Sequence, residues 1–571
     1  MIAVAGAILA FVGLSASSYW IDELFTLYVV DPHASRAQMM WRILRDVHPP
    51  LYYILLNGWG AVFGQSEAAI RSFSAICAVA ALLVFAWGVR RIVSPVAIAF
   101  ACAVATTSTF WFEQAQNARS YGWVMLLGAS VLAAALHLRR SVRREAGFPL
   151  GAWSILSLLG LAAGLTHSYL LLATGMVLLY LIATLRPARL RLALAASGAA
   201  ILGAYLVFLW FQLHTIDRDF SADWFRSDFG FIGGQILQAM GDGLSRQAAL
   251  VVVALAIAWA ATRGRAAVAD GIAYDDANWA SGLAVFVIGG GLVSGIVVTK
   301  LIAPSFSFRN VLTFAPFAWL LLARLYDVAG PRARTRAGAV GVVLIAALLG
   351  WQQVVLARGR PLQRNEPWRA SADYVRALDS CAGAPIPAVV LPEAYSGQEA
   401  DLRVLAAHYH GYYLPPQDRV QVFTPTEVLQ QARGEATADA NGCPLLAWSV
   451  RGLGEPRAVT LAMALVSRLG GVELQEFPVH LLRGFSWRER FEGFVFLRAE
   501  HGAAVPVRGD RILVTRADDP APPDAAAFRV RYWRDGRLER EERTVVAASV
   551  LNADPLRDWR DGAATESASS P

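Results

Sequence analysis

The chain has 571 residues, 56% of them hydrophobic and 17% charged, and its mean hydropathy is +0.42. Soluble domains are nearer a quarter charged, so a string of soluble domains, a secreted soluble protein and a single-domain cytosolic enzyme are all excluded. The charge is uneven: residues 1–356 carry 25 basic and 16 acidic side chains (net +9), residues 357–571 carry 26 and 28 (net −2), and these sum to +7. The pI near 9.4 is therefore a property of a membrane half and gives no reason to expect a nucleic-acid partner.

A helix needs about 20 apolar residues to cross a bilayer. In chain order the candidate runs are 1–17, 68–89, 94–112, 121–138, 151–167, 169–185, 191–213, 247–262, 280–298, 310–325 and 338–356, about eleven transmembrane helices. The first run has neither a basic n-region nor a small-residue cleavage site, so it reads as a retained span. Residues 50–63, PLYYILLNGWGAVF, are short for a span and read as an interfacial helix with Tyr and Trp at headgroup depth.

With the N-terminus inside, the cytoplasmic loops hold Arg90 and Arg91, the arginines of 139–144 and 186–191, Arg263 with Arg265, and those of 324–336. These loops contain 15 basic against 5 acidic residues, and the opposite side 10 against 11. The positive-inside rule then puts the N-terminus in the cytoplasm and residues 357–571 outside. Chemistry is expected on the outer loops, 18–67 above all. The stretch HTIDRDFSADWFRSDF at 214–229 reads as a solvated loop, with acceptor or sugar recognition as the sharper alternative.

Residues 357–502 alternate helical stretches (WRASADYVRALDS, ADLRVLAAHYHGYY, TPTEVLQQAR, EPRAVTLAMALVSRLG) with β runs (IPAVVLP, PLLAWSV, and two near 473–483 and 492–498), which predicts a small α/β domain. From 503 to 571 the chain is a polar extension. One hairpin is expected in it, FRVRYWRDGRLEREERTVV with Asp535-Gly536 as the turn, and the end is expected to be disordered. Cys77 and Cys102 lie inside spans as apolar fillers, whereas Cys381 and Cys443 each precede a β run and would pair in an oxidising compartment.

The segment SYWIDELFTLYVV at 18–30 places Asp22 and Glu23 at the outer end of the first span among aromatic and apolar residues. Desolvation raises a carboxylate's proton affinity and makes it a better base. Adjacent helical residues face different ways, so the two acids split their roles instead of forming a dyad. Further on, HPPLYYILL holds His48 rigidly before Pro49-Pro50.

These residues resemble glycosyltransferase family 39, which includes protein O-mannosyltransferases and the aminoarabinose transferases that modify lipid A. The acid pair after the first span, HPPLYY, and GQSEAAIRSFSAI at the next span carry the resemblance. So do FWFEQAQNARSYGW, with its Arg119-x-Tyr121, and FSFRNVLTFAP. It covers about residues 15–330 and, more weakly, the stretch from Trp368 to Tyr413. His48 stands where the lipid A modifiers carry Lys, and Gly122-Trp123-Val124-Met125 follow where an acid is often found. The resemblance implies a polytopic α-helical membrane protein of the C-type glycosyltransferase fold in a bacterial inner membrane. Its donor would be a polyprenyl-phosphate-linked sugar used outside the membrane.

Transfer from such a donor needs a base for the acceptor hydroxyl and cations for the leaving phosphate. Asp22 is the candidate base, and Glu23 the residue that positions the acceptor. Arg119, Lys300 and Arg309, at outer span ends, are candidates for the phosphate. His48, Tyr121, His167 and Tyr169 are further substrate-side candidates, and Arg71 would contact substrate or tie its helix to the acid loop. Base and leaving phosphate on opposite sides of the anomeric carbon imply inversion. The scheme requires no metal, although Glu113 is a carboxylate that a divalent ion could recruit. The partners expected are the lipid-linked donor, the bilayer, and a lipid, glycan or protein acceptor. The rival functions are a polysaccharide polymerase or ligase using undecaprenyl-diphosphate glycans, and a transporter or flippase. The spans are nearly free of central charges, and ionisable groups collect on one side, which disfavours passage across the membrane.

Overall fold

In the computed structural model the described residues are 1–144, 147–215, 226–261, 274–331, 335–359, 366–391, 399–414, 419–434, 443–478, 492–499, 510–518 and 520–552. Most of the acidic stretch 214–229, and the C-terminal end expected to be disordered, lie outside them. The chain divides into two compact units. One comprises Met1–Ser15 with Val29–Pro361, the other Ala16–Tyr28 with Leu362–Pro571.

In chain order the helices up to the soluble domain are α1 (Ile2–Leu9), α2 (Ile21–Val29), α3 (Arg36–Leu44), α4 (Leu51–Phe63), α5 (Glu67–Val89), α6 (Pro95–Thr106), α7 (Thr109–Gln114), α8 (Tyr121–Arg144), α9 (Leu150–Gly164), α10 (Ser168–Thr184), α11 (Ala188–Thr215), α12 (Phe229–Gly243), α13 (Arg246–Ala261), α14 (Tyr274–Leu301), α15 (Phe308–Val311), α16 (Ala315–Ala329) and α17 (Arg336–Gly359). Serine hydroxyls cap many of the starts: Ser35 with Gln38 in a capping box, then Ser66, Ser94 ahead of Pro95, Ser108 and Ser307.

Among the described residues six helices are long and apolar enough to cross a membrane: α5, α8, α11, α14, the α15–α16 run, and α17. They coincide with six of the eleven expected spans. The run 247–262 is one arm of a pair, α12 and α13, bent by 95°. The runs 94–112, 151–167 and 169–185 are the shorter apolar helices α6, α9 and α10. The run 1–17 is helical only over the 8 residues of α1, about 12 Å at 1.5 Å per residue.

The first unit has one continuous apolar core, to which α5, α6, α8, α10, α14 and α16 all contribute. Close approach of α5 and α8 requires Gly122, where a Cβ would stand 2.7 Å from the Ser74 carbonyl oxygen. The long helices share a polarity of content. Arg140, near the end of α8, lies within electrostatic range of Arg90, Arg91 and Arg144, and of Asp276 at the start of α14. Arg139 and Arg143 both pair with Asp276 at 2.9 Å. The opposite end of α8 begins at Tyr121, about 27–33 Å from these arginines by helical rise, which matches the ~30 Å hydrocarbon thickness. Arginines thus mark one end of these helices, and Arg119, Tyr121 and Lys300 lie at the other.

In the second unit α2 accompanies α18 (Trp368–Arg376), α19 (Glu399–Gly411), α20 (Pro425–Gly434), α21 (Glu455–Leu469) and α22 (Ala548–Asn552). The strands are β1 (Ile386–Val389), β2 (Val420–Phe423), β3 (Leu445–Ser449), β4 (Val472–Phe477), β5 (Gly493–Arg498), β6 (Arg511–Arg516), β7 (Ala525–Arg534) and β8 (Arg537–Ala547). They form one sheet in the order β2-β1-β3-β5-β4-β6-β7-β8. β1 is parallel to β2 and β3, and the remaining pairs are antiparallel. The expected hairpin is β7–β8, turning at Asp535 and Gly536, both at positive φ as a two-residue turn matched to strand twist requires. Strands β2 and β6 were not expected from the sequence, and β6 makes β7 and β8 a continuation of the same sheet. Cys381 and Cys443 form a disulfide, while Cys77 and Cys102 are buried and free.

Candidate active site

Five of the sequence-derived residues meet in the first unit. Pro49 and Pro50 force an extended entry into α4, and the Leu51 N–H donates to the Leu165 carbonyl in the α9–α10 turn (3.0 Å). That contact sets His48 beside His167, with ring centroids 5.7 Å apart. The ring of Tyr121, the first residue of α8, lies tilted against that of His167, centroids 6.0 Å apart. Arg119, in the turn before α8, lies within electrostatic range of both His167 and Asp46. His167 caps α10: its Nδ1 accepts the Tyr169 N–H at 3.2 Å, so its Nε2 is the protonated nitrogen of the neutral ring. Burial, then the charges of His48 and Arg119, push the His167 pKa down to about 3.

Asp46, which sequence reasoning passed over, organises this cluster. Its Oδ2 accepts from His48 Nδ1 at 3.0 Å and from the His48 N–H at 3.3 Å, and it also takes the Tyr53 hydroxyl. Gln212, near the end of α11, donates to the Asp46 carbonyl. Burial alone would raise the Asp46 pKa. His48, Arg119 and Tyr53 together outweigh it and hold the carboxyl at about 2. The visible signal was Asp-x-His-Pro, in which an aspartate bonds the backbone two residues on in an Asx turn.

Tyr169 extends the cluster towards the α14–α15 segment, its ring against Phe306 (6.3 Å) and Phe314 (6.5 Å). A Cβ at Gly295 would stand 2.8 Å from the Tyr169 ring, so the absence of a side chain there admits it. Lys300 and Arg309 flank that segment and sit on aromatic faces. Lys300 Nζ is 4.0 Å from the Phe229 centroid, and Arg309 Cζ is 5.4 Å from that of Phe308. Arg71 is buried in α5 and donates to the Leu14 carbonyl at 2.8 Å, so it does tie its helix to the chain leading into the acid segment. Glu113 is buried in α7; among the described residues, no three His, Cys, Asp or Glu side chains group as a metal ion would need.

Asp22 and Glu23 belong to the second unit. Glu23, 1% exposed, turns back on its own helix and accepts the Trp20 N–H at 3.2 Å, while Asp22 is half-buried one residue earlier. Glu366 caps α2: its Oε2 accepts the Ile21 N–H at 2.8 Å, and the Ser18 hydroxyl donates to its carbonyl. The Tyr19 N–H donates to the Tyr413 hydroxyl at 2.7 Å. Glu366 had no local signal for this contact, since the Ile21 N–H it accepts lies 345 residues away in sequence.

Two crystal structures share this architecture. ArnT from Cupriavidus metallidurans in the apo state superposes with a TM-score of 0.52, and the same protein bound to undecaprenyl phosphate with 0.50. Each pairing has 14% identity and covers 88% of this chain and 98% of that chain. The chain has the fold of ArnT. This is the C-type glycosyltransferase fold that the motifs imply, a polytopic helical membrane part followed by a sheet-containing domain. No protein-family model matches the sequence, and no curated protein matches it.

Proposed function

We propose that the protein is a membrane glycosyltransferase that moves a sugar from a polyprenyl-phosphate-linked donor to a hydroxyl acceptor, with inversion at the anomeric carbon. What carries the reading is one conjunction. A fold shared with a protein crystallised on undecaprenyl phosphate also holds an Asp46–His48–His167–Arg119–Tyr121 cluster, buried at Asp46, His167 and Tyr121, at the end of its helices opposite the arginines. Neutral His167 keeps an N–H donor, and Arg119 a fixed charge, for a phosphate oxygen. Asp46 orients His48 through Nδ1, leaving Nε2 as the reacting edge. Lys300 and Arg309 would add charge along the path of the leaving phosphate.

Asp22 takes the acceptor proton as the hydroxyl oxygen attacks the anomeric carbon. The bond to the phosphate oxygen breaks, and the polyprenyl phosphate leaves with the electron pair. Glu23, folded onto the start of α2, shapes the helix that carries Asp22 and reaches the acceptor only from that position. The arginine-rich helix ends are assigned to the cytoplasm, and the chemistry with the soluble domain to the outside. The Cys381–Cys443 disulfide supports an oxidising location for that domain.

The test is Asp22→Asn in the full chain, followed by mass spectrometry of the glycan or glycolipid that disappears when the gene is deleted. Transfer should fall by at least about a thousandfold with expression unchanged. Retained transfer removes Asp22 as base; combined with inactivation by Arg119→Ala or His167→Ala, it favours the polymerase or ligase reading.

A further inference from the structure

We propose that Glu366 is a positioning residue for the reaction, holding the first turn of α2 so that Asp22 is presented at a fixed place. The soluble domain then belongs to the catalytic apparatus. This rests on the reading of Asp22 as base.

Glu366 is 2% exposed, and a buried carboxylate is retained only where donors replace its water. Three converge on it from separate parts of the second unit: the Ile21 N–H at 2.8 Å, Trp368 Nε1 at 2.5 Å, and Arg451 Nη1 at 2.7 Å. Trp368 is itself wedged by His410, at 5.0 Å between ring centroids, and His410 by Trp448 at 4.8 Å on β3. The carboxylate is thus anchored through a packed aromatic row to the sheet. Its proton affinity is nonetheless raised, by burial first and also by the Asp22 charge, which Arg451, Trp368 and the Ile21 N–H oppose.

The rest of the segment is gripped in the same manner. The Ser18 hydroxyl bonds the Glu366 carbonyl, and Tyr413 takes the Tyr19 N–H. Arg369 reaches the Ala16 carbonyl at 3.4 Å, and the rings of Tyr19 and Tyr28 lie edge-on to Tyr412 (5.6 Å) and His408 (5.4 Å). An apolar cap residue would fill the same space without an acceptor for the Ile21 N–H. A carboxylate at this place fixes the helix start, one residue before Asp22, to the sheet-bearing domain.

The experiment uses the full chain in envelope preparations from a strain lacking the gene. Polyprenyl lipid extracted from that strain is titrated as donor source, and the product lost on deletion is measured. Glu366→Ala should lower the maximal rate by roughly tenfold or more at an unchanged half-saturating amount of lipid, since a small misplacement of a reacting group is costly. Glu366→Gln keeps an oxygen for the Ile21 N–H and should recover most of that rate. A wild-type maximal rate for Glu366→Ala, or a Gln variant as slow as the Ala one, overturns the proposal. If Glu366→Ala does not accumulate, Tyr413→Phe removes the acceptor for the Tyr19 N–H. It should slow the maximal rate by a few-fold at unchanged half-saturation, and a wild-type rate again overturns the proposal. Asp22→Asn is assayed in parallel. Should it remain active, the base assignment fails; should it be inactive while Glu366→Ala and Tyr413→Phe are not, only the positioning role fails.

Discussion

Asp46→Asn is the most informative single change in the first unit, because it keeps the shape of the side chain and removes its charge. The carboxyl is 7% exposed and held at about 2, against 3.8 for an unperturbed aspartate. At 1.36 kcal/mol per unit, the shift corresponds to roughly 2 kcal/mol of stability. The folded value lies below the unfolded one, so that contribution is fully present above about pH 4 and is lost as the pH falls towards 2. The variant should therefore unfold a few degrees below the wild type in detergent at pH 7, and the gap should shrink to roughly half by pH 3. The same substitution takes a charge from a hydrogen bond 3.0 Å from His48. Hydrogen bonds to charged groups contribute about 1.5–3 kcal/mol, so transfer efficiency should fall by about 10- to 100-fold. Thermal unfolding between pH 3 and 7, with the transfer assay at pH 7, measures both effects. A gap that stays constant with pH, or full activity in the variant, refutes the argument that His48, Arg119 and Tyr53 overcome the cost of burying this carboxylate.

The pH dependence of His167 has the same sign but sets in at higher pH. Its folded value of about 3 lies below the ordinary 6.5, so the unfolded chain takes up a proton that the folded chain refuses. Stability is full above pH 6.5 and declines by about 1.4 kcal/mol per unit as the pH falls towards 3. His167→Asn retains an oxygen to cap α10 and should flatten that part of the curve between pH 6.5 and 4.5; parallel curves would dispose of the buried neutral imidazole. For the disulfide, the 62-residue separation of Cys381 and Cys443 corresponds to about 4 kcal/mol on the chain-entropy model. Reductant, or Cys381→Ser, should lower the melting temperature of the soluble domain, and indifference to both would argue against the bridge.

The long spans were legible because twenty apolar residues in succession have few other uses, and six of the expected runs are helices of spanning length. The interruption within 94–112 was not legible. Hydropathy averages over Thr106, Thr107 and Ser108, whose hydroxyls bond back to the carbonyls of residues 102–105, while Ser108 also caps α7. A window that counts them as mildly polar cannot see that they end one helix and start another. Strands β2 and β6 escaped for a related reason. RVQVF and RILVTR are short and lie in polar surroundings, and each becomes a strand only by pairing with a neighbour distant in sequence.

The same distinction separates the candidate residues that the sequence offers from those that only the fold reveals. Asp22, Glu23, His48 and Arg119 announce themselves through neighbours in sequence: an aromatic-flanked acid pair, a proline pair, an Arg-x-Tyr. Asp46 and Glu366 act on those residues and carry little or no signal of their own. Asp46 looks like one loop acid among several until Gln212, Tyr53 and His48 surround it. Glu366 precedes an unremarkable Pro-Trp, and its meaning lies in a backbone N–H at residue 21. A buried carboxylate needs several donors, and a compact fold can bring them from segments far apart in sequence. Local pattern therefore favours the groups proposed to meet a substrate, while the groups bonded around them emerge only once the chain is folded. Asp46 and Glu366 are accordingly the positions at which substitution best separates errors of placement from errors of chemistry.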